Sequence, residues 1–183
     1  MGRSLVLGAL LALVGACAKP PTPVAGPVDL DRYAGDWIEV ARLPAFFQRE
    51  CVRSRASYRV VDEGIQVVNR CATASGAVQR AEGVAKPVPG SANSRLAVRF
   101  AGFWARLLPT SDEGNYWILH LDPDYRSAVV GTRDRRYLWI LAREPLEEPR
   151  YLALVEIAQR AGFDVSRLIR ADWSELPPVS TWR

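Results

Sequence analysis

The chain has 183 residues, of which 49% are hydrophobic and 24% charged, the balance of one globular domain and not of a disordered chain. Its 24 Lys and Arg against 20 Asp and Glu give a formal net charge of +4, and because the basic residues are scattered we expect no nucleic-acid partner. A single histidine and three cysteines exclude a histidine-rich metal centre and a multi-cysteine zinc site, so neither a metal nor a cofactor is predicted.

Residues 1–16 have the features of an export signal. Arg3 gives a short basic region, an apolar stretch of ten residues from Leu5 to Val14 follows, and small residues lead into Cys17. Such a stretch cannot cross a hydrocarbon core, which needs about 20 residues. Its end resembles a bacterial lipobox, which predicts a lipoprotein signal peptide over residues 1–16 and lipid attachment at Cys17. An ordinary signal peptide cut elsewhere is the alternative.

Residues 17–27 form the expected link between this anchor and the folded domain. Four prolines in the stretch predict a semi-rigid, proline-rich tether. Ala18 stands where a signal for retention in the inner membrane usually has Asp, so we expect attachment to the outer membrane, facing the periplasm. Export also places Cys51 and Cys71 in an oxidising compartment, where they can form a disulfide.

Short hydrophobic runs with period-two alternation dominate from Val28 to about Arg143 and predict eight β-strands. Asp62-Glu63-Gly64 is a tight hairpin signal, because glycine tolerates a positive φ angle. Eight strands at near-regular spacing, with no helical period between them, predict an all-β antiparallel sandwich or up-and-down barrel. The predicted strands are Asp36–Arg42, Arg53–Val61, Ile65–Cys71, Val78–Pro87, Arg95–Phe100, Tyr116–Leu121, Ser127–Gly131 and Tyr137–Arg143.

One α-helix is predicted after the strands. Pro149 suits a first helical turn, and apolar residues recur at helical spacing from Tyr151 onward until Gly162 ends the run. The run Phe163–Ile169 is a candidate ninth strand. Residues 173–183 have no period, and we expect them to form a flexible tail.

Three separated segments carry a common signature. They are Gly35 and Trp37 in a Gly-x-Trp motif, Asp124 and Tyr125 in a turn, and Arg143 at the end of the eighth predicted strand. Together they resemble the signature blocks of the lipocalin family, most closely its bacterial outer-membrane lipoprotein branch, which is apolipoprotein D-like. The resemblance covers residues 28–172. It implies an eight-stranded antiparallel up-and-down barrel, with the C-terminal helix packed outside, that binds a small apolar molecule.

The order and alternating direction of the strands in such a barrel predict that two residue pairs lie close together. If Trp37 lies at the bottom, alternating strand directions bring Arg143 to the same end, where its guanidinium can make a cation–π contact with the indole. The same count places Cys51 beside Cys71 at the top, so we expect a disulfide, worth roughly 3 kcal/mol for a loop of about twenty residues. The alternatives are a solvated arginine near an independent core tryptophan, and a cysteine that acts as a nucleophile.

Alternation along the predicted strands indicates which side chains line the barrel. It turns Glu39 and Ala41 inward and Arg42 outward. His120 shares the inward parity of its strand and is expected to be a hydrogen-bonded wall residue and not a catalyst. The residues expected to bind the ligand are Ala41, Phe46, Tyr58, Val98, Phe100, Tyr116, Ile118, Trp139 and Leu141. The alternative is that these side chains simply fill the barrel.

Two apolar segments belong at the open end of the barrel. They are Phe46-Phe47 in the first loop and residues 102–108 between the fifth and sixth strands. Exposed apolar loops at this position either touch a membrane and guide a lipid inward or fold down as a lid. The sequence leaves both interpretations open.

The resemblance and the N-terminal segment together predict a lipid-anchored outer-membrane protein with no enzymatic reaction. It would bind and store or transport a fatty acid, a lysophospholipid or a similar hydrophobic ligand, in membrane maintenance. Whether two copies form a homodimer is left open. Two other functions are alternatives: a lipocalin-fold enzyme that uses Cys51 or Cys71, and a structural envelope lipoprotein whose barrel is filled.

Overall fold

A computed structural model describes residues 23–102, 111–174 and 182. The predicted signal peptide, Cys17 and the start of the tether lie outside the described residues, as do most of the mouth segment 102–108 and most of the tail. In the ranges that the structure covers, no helix is both long and apolar enough to span a bilayer.

The described residues contain one antiparallel sheet that closes on itself. Its order is β2-β3-β4-β5-β6-β7-β8-β1-β9, and β1 also pairs with β2, so the first eight strands form a closed barrel. This confirms the up-and-down barrel. The strands are β1 Gly35–Arg42, β2 Cys51–Val61, β3 Gly64–Thr73, β4 Val78–Pro87, β5 Arg95–Phe100, β6 Tyr116–Leu121, β7 Ser127–Gly131, β8 Leu138–Ala142 and β9 Ile169–Arg170.

The predicted helix lies outside the barrel as α2, Glu148–Arg160. It begins with a proline in its first turn. It is followed by Gly162, whose φ of +86° is an angle that glycine adopts readily and that commonly ends a helix. Tyr151, Leu154 and Ala158 are buried and pack with outward-facing residues of β1, β7 and β8. The helix therefore covers one outer face of the barrel and leaves the interior free.

A short helix that the sequence analysis missed, α1 Leu30–Tyr33, precedes the first strand. Asp29 caps it, since one carboxylate oxygen accepts hydrogen bonds from the backbone nitrogens of Asp31 and Arg32. Tyr33 is completely buried at its end. This turn closes the lower end of the barrel and fixes the entry into β1.

The ninth strand exists, but it is shorter than predicted. Val165–Arg167 is a 3-10 helix, because the Asp164 side chain accepts from the backbone and hydroxyl of Ser166 and stops the extended chain. Only Ile169–Arg170 pairs with β1. Within the predicted flexible tail, Trp173 is buried and stacks on Trp182, while residues 175–181 and 183 lie outside the described part of the chain.

Two register shifts change which residues face the interior. Between Glu39 and Ala41 the pairing of β1 with β8 gains one residue, so Ala41 lies opposite Ile140 on the outer face and Arg42 turns inward. The predicted inward position of Ala41 is therefore wrong, as is the outward position of Arg42. A second shift between Ile118 and His120 places His120 opposite outward-facing Val129, so its predicted inward parity is also wrong.

Candidate functional site

Arg143 and Trp37 seal the closed, lower end of the barrel. The guanidinium carbon lies 3.9 Å from the centre of a Trp37 ring, which confirms the predicted cation–π pair. Gly35 allows the close approach, since its φ is +96° and a β-carbon there would lie 3.2 Å from Arg143 Nη1. The guanidinium also donates to five backbone carbonyls: those of Arg32, Tyr33, Ala34, Asp36 and Tyr125.

The Asp124-Tyr125 turn completes the same end. The Tyr125 hydroxyl accepts a hydrogen bond of 2.9 Å from the backbone nitrogen of Asp29, and the Arg32 guanidinium lies 4.1 Å from the Tyr125 ring centre. Tyr125 adopts a φ of +59°, and the Asp122 carboxylate accepts from the backbone nitrogen of Asp124. The three signature segments therefore meet at one place and act as a plug.

Large side chains fill the lower half of the barrel above this plug. Tyr33, Trp37, Ile65, Leu96 and Ile118 all have an exposed fraction of 0%. The alternative that inward side chains simply fill the barrel is therefore right for Ile118 and the residues around it. A ligand has no room at this level.

The upper half of the barrel holds a cavity of about 130 Å³. Because one water needs roughly 10–15 Å³ by this measure, the space exceeds a packing defect. Most of its wall is apolar or aromatic: Phe47, Ala56, Tyr58, Val67, Ala81, Val98, Phe100, Tyr116, Trp139 and Leu141. The polar and disulfide residues in the wall are Glu39, Gln48, Cys51, Ser54, Asn69, Cys71, Gln79, Arg80 and Asn115. A mostly apolar wall with a few polar groups is typical of a site for a small hydrophobic molecule.

A chain of three tyrosine hydroxyls forms the floor of the cavity. The hydroxyl oxygen of Tyr116 lies 2.6 Å from that of Tyr33 and 2.9 Å from that of Tyr58. Burial raises the pKa of Tyr58 to about 12, and it raises the pKa values of Tyr33 and Tyr116 well above the ordinary value. All three hydroxyls are therefore protonated at neutral pH.

A buried ion pair lies in the upper wall. Arg42 Nη1 donates to Glu39 Oε1 at 3.0 Å, and Arg42 Nη2 donates to the backbone carbonyls of Gln48 and Cys51. Gln48 Nε2 donates to Glu39 Oε2, and Gln48 Oε1 accepts from Trp139 Nε1 at 2.9 Å. Burial raises the pKa of Glu39, against the opposing effects of Arg42 and Gln48. The network ties the first loop to the barrel wall.

The disulfide lies at the rim of the same cavity. Cys51 begins β2, Cys71 lies in β3, and their sulfurs are bonded with the α-carbons 5.4 Å apart. This confirms the predicted pairing. Since both cysteines described by the structure are joined, neither offers a thiol.

The predicted ligand-binding residues divide into two groups. Tyr58, Val98, Phe100, Tyr116, Trp139 and Leu141 line the cavity. Ala41 is turned outside by the register shift, Ile118 lies in the filled layer, and Phe46 is 48% exposed while Phe47 lines the cavity in its place. Which of these residues contact a ligand stays a prediction.

Several wall residues were not found from the sequence. Gln48 lies in a 3-10 helix of the first loop, Phe46–Gln48, and no period predicts the direction of a loop side chain. Ser54 and Asn69 are polar residues on the inward parity of β2 and β3, a signal that alternation alone could have supplied. Among the described residues, no three His, Cys, Asp or Glu side chains are grouped as metal ligands.

The fold and cavity define a class of small, closed antiparallel barrels that are plugged at one end and hold a cavity toward the other. The chain belongs to the lipocalin family: the model of a lipocalin-like domain matches residues 28–172.

Relatives cover nearly the whole chain. It is 37% identical over 167 residues to temperature-induced lipocalin-1 of Arabidopsis thaliana, with 88% of each chain covered. It is 35% identical over 172 residues to outer membrane lipoprotein Blc of Escherichia coli K12, covering 90% of this chain and 91% of the other. Insecticyanin from the tobacco hornworm Manduca sexta shares the fold, with a TM-score of 0.61, 18% identity and coverage of 85% and 86%.

Proposed function

We propose that the protein is a lipid-anchored, outer-membrane lipocalin that binds a fatty acid, a lysophospholipid or a similar small hydrophobic ligand and stores or transports it. The observation that carries this proposal is the cavity in the upper half of the barrel, whose wall is mostly apolar. Binding is reversible transfer of the apolar ligand from water into this cavity, with no bond made or broken.

The energetics of burial set how much of an acyl chain must enter the cavity. Each buried methylene group of an acyl chain contributes about 0.8 kcal/mol. Association costs about 4–15 kcal/mol in lost freedom, so roughly five to nineteen buried methylenes only offset that cost, and affinity comes from the methylenes buried beyond them. Because the floor is closed by Tyr33 and Trp37, the ligand enters through the upper rim, where Phe47 and Trp139 lie.

Two structural features speak against an enzyme that uses a cysteine. Cys51 and Cys71 are joined in a disulfide, and His120 faces the outer side of the barrel, away from the cavity. A nucleophile needs a free thiolate and a base within hydrogen-bond reach. Among the described residues the cavity holds no free thiolate, because both of its cysteines are in the disulfide. The cavity likewise speaks against a filled, purely structural barrel.

Attachment at Cys17 and location at the outer membrane are the remaining parts of the proposal. Cys17 follows an apolar segment with small residues before it, and the similar E. coli protein is an outer membrane lipoprotein. Several acyl chains anchor a protein stably, whereas one binds a membrane only marginally. The part of the tether before Ala25 would then let the barrel stand off the membrane surface, since the backbone nitrogen of Ala25 already donates to the carbonyl of Ile118.

Ligand binding is tested by filling the cavity. Val98→Trp adds an indole at the cavity wall, whereas Val52→Trp makes the same change at a position that is 47% exposed. We expect the wild-type protein and Val52→Trp to bind N-phenyl-1-naphthylamine and release it to dodecanoic acid. Val98→Trp should bind both at least tenfold more weakly. Equal binding by all three proteins would place the ligand elsewhere and contradict the proposal.

Anchoring is tested on the full chain in a bacterium that has an outer membrane. Metabolic labelling with palmitate should mark the wild-type protein, which should fractionate with the outer membrane. Cys17→Ser should remove the label and the membrane association. An unlabelled wild-type protein in the soluble periplasmic fraction would contradict the lipid anchor.

A further inference from the structure

The tyrosine hydroxyls at the cavity floor carry more protons than their mutual hydrogen bonds use. Tyr33, Tyr58 and Tyr116 each have one hydroxyl proton, which makes three donors. The two contacts, Tyr33 to Tyr116 and Tyr58 to Tyr116, use two of them. Within the described part of the chain these hydroxyls bond only to one another, so one proton is left without an acceptor.

The location of this spare proton follows from burial. Tyr33 lies beneath the cavity with an exposed fraction of 0%, whereas Tyr58 and Tyr116 line it. A spare proton on Tyr33 would be a buried donor with no partner, which costs its full desolvation penalty. The favoured arrangements therefore leave the proton on Tyr58 or Tyr116, where it points into the cavity.

We propose that the floor is a subsite for one uncharged oxygen acceptor on the ligand, which accepts this proton from Tyr58 or Tyr116. The proposal rests on the proposed function and specifies the chemical class of the ligand: an apolar molecule with a ketone, an ester carbonyl or an un-ionised carboxylic acid at its buried end. The rest of the molecule extends toward the upper rim, past Val98 and Leu141.

An uncharged oxygen fits the floor better than a carboxylate ion does. A buried carboxylate is stabilised by two or three donors, and the floor offers one. The cation at this end, Arg143, is engaged by five backbone carbonyls and lies against the ring of Trp37, which is completely buried. It supplies no donor to the cavity.

The test compares two ligands that differ by one oxygen. 2-Acetylnaphthalene has a ketone where 2-ethylnaphthalene has a methylene group, so the ratio of their dissociation constants, measured by calorimetry, isolates the contribution of the oxygen. In the double variant Tyr58→Phe/Tyr116→Phe, only one of the three floor hydroxyls is left, that of Tyr33, whose side chain lies beneath the cavity and does not line it. We expect this variant to lower the preference for the ketone over the hydrocarbon roughly fivefold, whatever happens to the binding of the hydrocarbon itself.

A matched double variant, Tyr33→Phe/Tyr58→Phe, also removes two hydroxyls but leaves the Tyr116 proton facing the cavity. It should keep the wild-type ratio, and so should each single variant, because every one of them retains a spare proton at the floor. Circular dichroism confirms that each variant is folded.

Three results would overturn the subsite. If Tyr58→Phe/Tyr116→Phe keeps the wild-type preference for the ketone, whether neither ligand weakens or both weaken equally, the oxygen does not accept from the floor; the proposed function stands as long as the hydrocarbon binds in the cavity. If wild-type protein binds neither ligand, the proposed function fails together with the subsite.

Discussion

The guanidinium of Arg143 lies 3.9 Å from the centre of a Trp37 ring, joining the last strand of the barrel to the first. The indole nitrogen of Trp37 donates to the carbonyl of Tyr33 at 2.8 Å, and the same carbonyl accepts from Arg143 Nη2. One planar cation thus holds α1, β1 and the end of β8 together. This plug makes the lower end solid, so among the described residues the cavity lies toward the upper end.

Replacing the guanidinium of Arg143 in the plug with an ammonium group should lower the stability of the barrel. We expect Arg143→Lys to reduce the free energy of unfolding in urea by roughly 2–3 kcal/mol, because an ammonium cannot stack on the indole and donate to five separated carbonyls. Arg126→Lys is the matched control: Arg126 pairs with Glu144 with both side chains about 60% exposed, and such pairs contribute little. A loss within about 0.5 kcal/mol for both variants would show that the plug does not stabilise the barrel.

Glu39 should make stability depend on pH in a defined direction. Burial raises its pKa in the folded protein, so the folded state takes up a proton at higher pH than the unfolded chain does. Its contribution is fully present below its ordinary value of 4.5 and is lost as the pH rises through the folded-state pKa. The difference in unfolding free energy, wild type minus Glu39→Gln, should therefore fall as the pH is raised from about 4.5. A difference that grows with pH would contradict the assignment.

His120 allows a direct titration, because it is the single histidine in the chain. Burial and then the positive charge of Arg150 lower its pKa below the ordinary value, against the effect of Asp122. The imidazole proton signals in NMR spectra should titrate below pH 6.5 in the folded protein and near 6.5 in urea. Arg150→Gln should raise the folded value. A folded-state pKa above that of the unfolded chain would place His120 in a different environment.

Strand count and strand direction were sufficient to predict the long-range pairs. The contact of Trp37 with Arg143 and the disulfide of Cys51 with Cys71 depend only on which end of the barrel each strand reaches. Strand direction does not change when a strand boundary moves by a residue or two. The lipocalin resemblance includes Trp37 and Arg143 among its signature positions. The long-range residue pairs of the barrel can therefore be predicted from the sequence.

The direction of individual side chains was less predictable where the sheet is irregular. Ala41, Arg42 and His120 all follow a register shift, and one extra residue reverses the face of every later side chain in a strand. Gln48 was missed for another reason, because its contacts with Glu39 and Trp139 depend on the path of a loop. The pairing of Glu39 with Arg42 was established by the structure, because alternation alone places the two side chains on opposite faces of the strand.

The most direct test of the account is the position of a bound ligand. Protein with carbon-13-labelled valine and leucine methyl groups is saturated with dodecanoic acid, and NMR contacts between ligand and methyl protons are recorded. We expect contacts with Val67, Val98 and Leu141, which line the cavity. Contacts confined to Val52 and Leu152, which are 47% and 54% exposed on the outside, would contradict it.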